Sequence, residues 1–145
     1  MYHYTETGLE NVWLENGYLR RKTAYGTAVA IEDADGLHRA IGRALAHQSY
    51  LRAAEFRFLR KELDLSQAGV AELLGTSEQT VALWERHGKI PKTADRMFRA
   101  IYIEAIDGNV RLKELVERVA ERERADDERF VFQDTDDGWH PKVAA

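Results

Sequence analysis

The sequence predicts a mainly α-helical protein with a small β-hairpin-plus-helix module at its N-terminal end. Three observations carry that expectation. Apolar residues alternate between Val12 and Ile31, the period lengthens to three and four from Leu37 onward, and Gly75 and Gly88 fall where helices must stop.

A chain of 145 residues suits one compact domain or two very small ones. The balance of 44% hydrophobic and 32% charged residues is that of an ordinary globular protein. There is no cysteine, which excludes disulfides, thiol nucleophiles and cysteine-based zinc sites. The start lacks a basic segment followed by an apolar run, and no stretch approaches the ~18 apolar residues of a membrane span, so a cytoplasmic protein with no membrane partner is expected.

Charge is uneven. Lys+Arg against Asp+Glu number 5 and 6 in residues 1–50, 9 and 8 in 51–106, and 7 and 11 in 107–145. The whole net charge of −4 therefore belongs to the last segment, and the middle one, at +1, is the only part that is not acidic. These three segments are also the expected organisation: a β-hairpin/helix module (1-50), a helical domain (51-106), and a C-terminal helix with an acidic tail (107-145).

Taken in order, Val12, Leu14 and Tyr18, then Tyr25, Thr27, Val29 and Ile31, have the period of two of half-buried strands, with Asn16-Gly17 as a type I′ hairpin signal between the first runs. Leu37, Ile41, Ala44 and Leu45 mark one face of a helix reaching about His47, with Asp35 as its N-cap. Phe56, Leu59 and Leu63 mark a second helix, from which Arg57, Arg60 and Lys61 project as a solvated or phosphate-contacting face. Ser66 starts a short helix with Val70, Leu73 and Leu74 inward, and Gly75 ends it. Ser77 caps the next, with Val81 and Trp84 buried, and Gly88 stops it. After Pro91 a helix from about Thr93 to Ile106 has Met97, Phe98, Ile101 and Tyr102 as its apolar residues. Another, from about Val110 to Arg124, carries Leu112, Leu115, Val116 and Val119 as core or dimer seam. Phe130 and Phe132 share one side of a possible strand near Trp139.

Two short helices joined by a tight glycine turn, with an apolar residue inside the second, are what a helix-turn-helix requires. The spacing of Gln67, Ala71, Gly75, Val81 and Trp84 in LSQAGVAELLGTSEQTVALWERHGKIP resembles the lambda-repressor/Cro-like (Xre) family. That resemblance implies a lambda-repressor-like five-helix DNA-binding domain over about Leu51 to Ile106. Placed so, Glu78, Gln79 and Thr80 open the recognition helix toward base edges, and Ala82 and Leu83 follow one turn later. A carboxamide at Gln79 pairs bidentately with adenine, a carboxylate at Glu78 accepts from cytosine, and Leu83 meets a thymine methyl. Gln67, Thr76, Arg86, Lys89 and Lys92 are the expected phosphate contacts.

The phrases YTETGLENVWLENG, IEDADGLHRAIGRAL and AAEFRFLRKELDLSQ are similar to the MqsA-like branch of bacterial antitoxins. Members carry paired Cys-x-x-Cys zinc ligands at the start, and this chain carries none. The resemblance implies an autoregulatory repressor that binds a palindromic operator as a homodimer, with a possible cognate toxin as partner and the zinc module either missing or reduced to a metal-free hairpin. The competing expectation is an adaptor that neutralises a toxin or docks a partner without needing DNA. His3, His38, His47, His87 and His140 have no i, i+4 pair, and the acid pairs stand without a nucleophile or phosphate loop, so neither metal, cofactor nor enzymatic activity is expected.

Overall fold

The computed structural model describes residues 1–108, Arg111, Glu114 and 131–142. Four strands come first: β1 (Tyr2–His3), β2 (Trp13–Leu14), β3 (Tyr18–Thr23) and β4 (Gly26–Ile31). They are followed by α1 (Ala34–Ala46), α2 (Ala53–Glu62), α3 (Gln67–Leu74), α4 (Glu78–His87) and α5 (Lys92–Ile106), and then by β5 (Phe132–Thr135) and β6 (Gly138–Pro141). Among the described residues the strands pair as antiparallel couples, β1 with β2, β3 with β4 and β5 with β6. The helix expected at 110–124, with Leu112, Leu115, Val116 and Val119, lies almost wholly outside the described residues, as does Phe130. No described helix is long and apolar enough to cross a membrane.

Asn16-Gly17 does not join a hairpin. β2 pairs instead with β1, Tyr2 opposite Leu14 and His3 opposite Trp13, so the partner comes from a segment that carries no alternating run of its own. Gly17 still turns the chain, with φ +79°, and its carbonyl accepts from Glu32 N–H at 2.9 Å. The tight hairpin is one step later: Thr23 pairs with Gly26 across the two-residue loop Ala24-Tyr25, which places Tyr25 at an exposed tip rather than in a strand.

The N-cap of α1 is Asp33 and not Asp35. Asp33 takes a left-handed conformation (φ 48°) and its carboxylate accepts from Gly36 N–H at 3.1 Å, which leaves Asp35 in the first turn, favourable to the helix dipole.

One apolar cluster runs through the molecule. Tyr4, Leu9 and Leu14 from the N-terminal segment join Ile41 and Leu45 of α1, Phe56 and Leu59 of α2, Val70, Val81, and Phe98 and Tyr102 of α5. At its centre the Phe56 ring meets Trp84 edge-on at 6.0 Å and Phe98 at 4.6 Å, so α2, α4 and α5 share one contact. α1 lies so close to α5 that a Cβ on Gly42 would come within 1.8 Å of the Tyr102 hydroxyl oxygen. That hydroxyl is buried without a hydrogen-bond partner among the described residues, and burial pushes its pKa up to about 12. Met97, expected on the apolar face of α5, is instead exposed, because Ala94, Phe98 and Ile101 already form the inward stripe.

Polar groups fix the joints. Asp95 accepts from Leu51 N–H at 2.7 Å and pairs with Arg99 at 2.6 Å. Arg99 then donates to the carbonyls of Ala46, Gln48 and Ser49, at the open end of α1 and in the α1–α2 loop. At the other side His38 bridges Tyr4 (2.9 Å) and Glu62 (2.8 Å), tying the N-terminal segment to α1 and α2.

Candidate nucleic-acid interface

The local signals that the sequence offers for α3 and α4 correspond to real geometry. The Ser66 hydroxyl accepts from Gly69 N–H at 3.0 Å and opens α3, while the Ser77 hydroxyl accepts from Thr80 N–H at 3.2 Å and opens α4. Gly75 (φ 70°) and Gly88 (φ 73°) close these helices in the left-handed conformation that suits glycine. Helix α3 packs on α4, and α4 on α2.

The ten residues of α4 divide into two faces. Val81, Trp84 and Glu85 are buried. Gln79, Leu83 and Arg86, at i, i+4 and i+7, form an exposed stripe opposite, with Glu78 exposed and Ala82 half-buried beside it. Leu83 is 48% exposed, an apolar side chain presented to solvent in the middle of an otherwise polar stripe. Thr80 is less available than its neighbours, since its hydroxyl lies 2.8 Å from that of Ser77.

Of the expected phosphate contacts, Arg86, Lys89 and Lys92 are exposed at the end of α4 and the start of α5. Gln67 is half-buried and lies near enough to Glu85 to help hold that carboxyl ionised, so it faces the helix pair as well as solvent. The Thr76 N–H already donates to Ala71 C=O at 2.9 Å, which leaves its hydroxyl as the group to offer. Arg96 adds a charge that the sequence reading passed over. It is exposed one turn beyond Lys92 and lines a shallow cleft with Lys92, Gly88 and Ile90, and the i, i+4 spacing in α5 was the signal for it.

Of the arginines expected to project from α2, Arg57 stays exposed and Arg60 does not. Arg60 Nε and one terminal nitrogen reach the two Glu85 carboxylate oxygens at 2.8 and 2.9 Å, and Arg57 Nε reaches Glu85 at 3.2 Å. The Arg60 side chain is only 13% exposed and that of Glu85 1%, whereas Arg57 keeps 53%. The apolar spacing of α2 does not announce this, because Arg60 faces inward to meet a buried carboxylate on α4. Arg60 also donates to Leu65 C=O at 3.0 Å, tying down the chain just before Ser66. Burial pushes the Glu85 pKa up, but the hydrogen bonds and charge of Arg60, with help from Arg57 and Gln67, outweigh it and hold the carboxyl below the usual carboxylate value. The pair thus fixes α4 to α2 from the face that the exposed stripe turns its back on.

Residues 56–99, from within α2 to within α5 and just under a third of the chain, match the model of the helix-turn-helix family. No curated protein and no solved structure matches. The match spans the caps, the glycine turn and the buried Arg60–Glu85 pair described above. Over residues 56–99, then, the chain is similar to the helix-turn-helix family, and its own caps and glycine turn have the form such a unit needs.

Proposed function

We propose that this protein is a sequence-specific transcriptional repressor, antitoxin-like and autoregulatory, that binds a palindromic operator as a homodimer and has no enzymatic activity. The observation that carries the proposal is the exposed stripe Gln79, Leu83 and Arg86, held outward on a helix whose other side is anchored by Val81, Trp84 and Glu85. A helix of this kind, entering the major groove with its N-terminal turn, reads base edges. Gln79 pairs with an adenine, Leu83 covers a thymine methyl, Glu78 accepts from a cytosine, and Arg86, Lys89 and Lys92 hold the phosphates.

The test is electrophoretic mobility of the DNA upstream of the protein's own gene at two salt concentrations. The wild type is expected to shift that DNA with an affinity that falls steeply with salt, and the Gln79→Ala, Arg86→Ala variant to lose both preference for that DNA and part of the salt slope. Equal binding by both proteins with no salt slope overturns the proposal. Association with a co-expressed neighbouring gene product, with no binding to any duplex, points to the adaptor reading in its place.

A further inference from the structure

Between Tyr18 and Ile31 the chain carries Arg20, Arg21 and Lys22 and not one acid, in a protein whose net charge is −4. These residues are the β3–β4 hairpin, six antiparallel residue pairs closed by the two-residue loop Ala24-Tyr25. The turn is clamped: the Thr23 hydroxyl donates to Gly26 C=O at 2.7 Å and accepts from Tyr25 N–H at 3.3 Å. Among the described residues no third strand joins the pair, and of its strand residues only Tyr18, Val29 and Ile31 are even half-buried.

A two-stranded ribbon exposed on both faces is marginal by itself, so its stiff tip and its charge call for an explanation beyond packing. The basic residues are not equivalent. Arg20 is occupied at the base, 5.5 Å over the Tyr18 ring and 5.9 Å over that of Tyr2, with a hydrogen bond to Met1 C=O. Arg21 and Lys22 lie nearer the tip, exposed, and as successive strand residues they point to opposite faces of the ribbon. Tyr25 at the tip is fully exposed.

One positive group on each face suits a ribbon lying between two walls of negative charge. A DNA groove is bounded by two phosphate strands, and the major groove, about 12 Å wide, admits a two-stranded β-ribbon. Six residues at about 3.3 Å each give an arm of roughly 20 Å. We infer that the β3–β4 hairpin is a second DNA-contacting element, an arm that engages phosphates through Arg21 and Lys22 without reading sequence. This rests on the DNA-binding reading of α4 and deepens it by a separate surface.

The experiment is fluorescence anisotropy on the upstream duplex and on an unrelated duplex over a range of salt, comparing wild type with Arg21→Ala, Lys22→Ala. Each lost phosphate contact removes about 0.9 from the slope of log K against log salt. The variant is therefore expected to lose about 2 from the slope on both duplexes, and to bind both more weakly by a similar factor, so that the ratio between them holds. The charge-preserving Arg21→Lys, Lys22→Arg variant is expected to restore the slope, and does so only if charge rather than hairpin folding is at stake. An unchanged slope while the wild type binds DNA overturns the arm and leaves the helix-turn-helix reading standing. Absence of wild-type binding to either duplex at low salt overturns both. A change in sedimenting mass with no change in slope assigns the hairpin to a contact between copies and likewise overturns the arm.

Discussion

At the scale of single residues, the arginines of α2 show how little side-chain charge says about place. Arg57 and Arg60 both touch Glu85, yet one is half in solvent and the other is nearly enclosed. Truncating a buried partner leaves an uncompensated charge, whereas an exposed one is worth little. Arg60→Ala is expected to destabilise the fold by about 3–5 kcal/mol, and Arg57→Ala by about 1 kcal/mol or less, as measured by urea unfolding. The acid limb follows from the same group. Because the folded Glu85 pKa lies below its ordinary value of 4.5, the stability it contributes is complete above that pH and is lost as the pH falls through the lower folded value. Stability measured between pH 6 and pH 3 is expected to fall more in the wild type than in a Glu85→Gln variant. A parallel decline in both proteins excludes the pair as the cause.

Among the elements, those set by neighbouring residues were legible and those set by distant ones were not. Ser66, Gly75, Ser77 and Gly88 cap α3 and α4 as their types predict, because a cap bonds within three or four residues of itself. Asn16-Gly17 misled because β2 is claimed by β1, a pairing of residues ten and twelve apart that no local signal announces. Arg60 misled for a like reason, its partner being 25 residues away on another helix. Gln79, Leu83 and Arg86 were legible as outward residues, since helical spacing separates them from Val81 and Trp84, while their alignment in one stripe and Arg96, in the next helix, were not. The Ser77 cap carries a prediction at this scale. Ser77→Ala is expected to cost about 1 kcal/mol, and to weaken DNA binding beyond that of a surface control by loosening the first turn of α4, where Glu78 and Gln79 stand. Thermal unfolding and anisotropy on the same sample separate the two effects.

Across the whole molecule, the N-terminal strands and the helix-turn-helix draw on one core. Leu9 is buried in the same cluster as Val81 and Phe98, and His38 and Arg99 pin the flanks of α1 to α2 and α5. Leu9→Ala is therefore expected to cost about 2–5 kcal/mol and to lower the unfolding midpoint seen by far-ultraviolet circular dichroism and by fluorescence of the buried Trp84 alike. Two separated transitions, with the Trp84 signal unmoved, contradict a shared core.

Helix α4 keeps its anchoring residues and its outward residues in separate positions of the same ten. Val81, Trp84 and Glu85 answer to the interior, and Gln79, Leu83 and Arg86 answer to whatever lies outside. A substitution in the outward set thus leaves the buried contacts in place. On the proposed reading of α4, exchanging the outward set changes which DNA is preferred while the fold is kept, so two proteins of this shape have no reason to share an address on the genome.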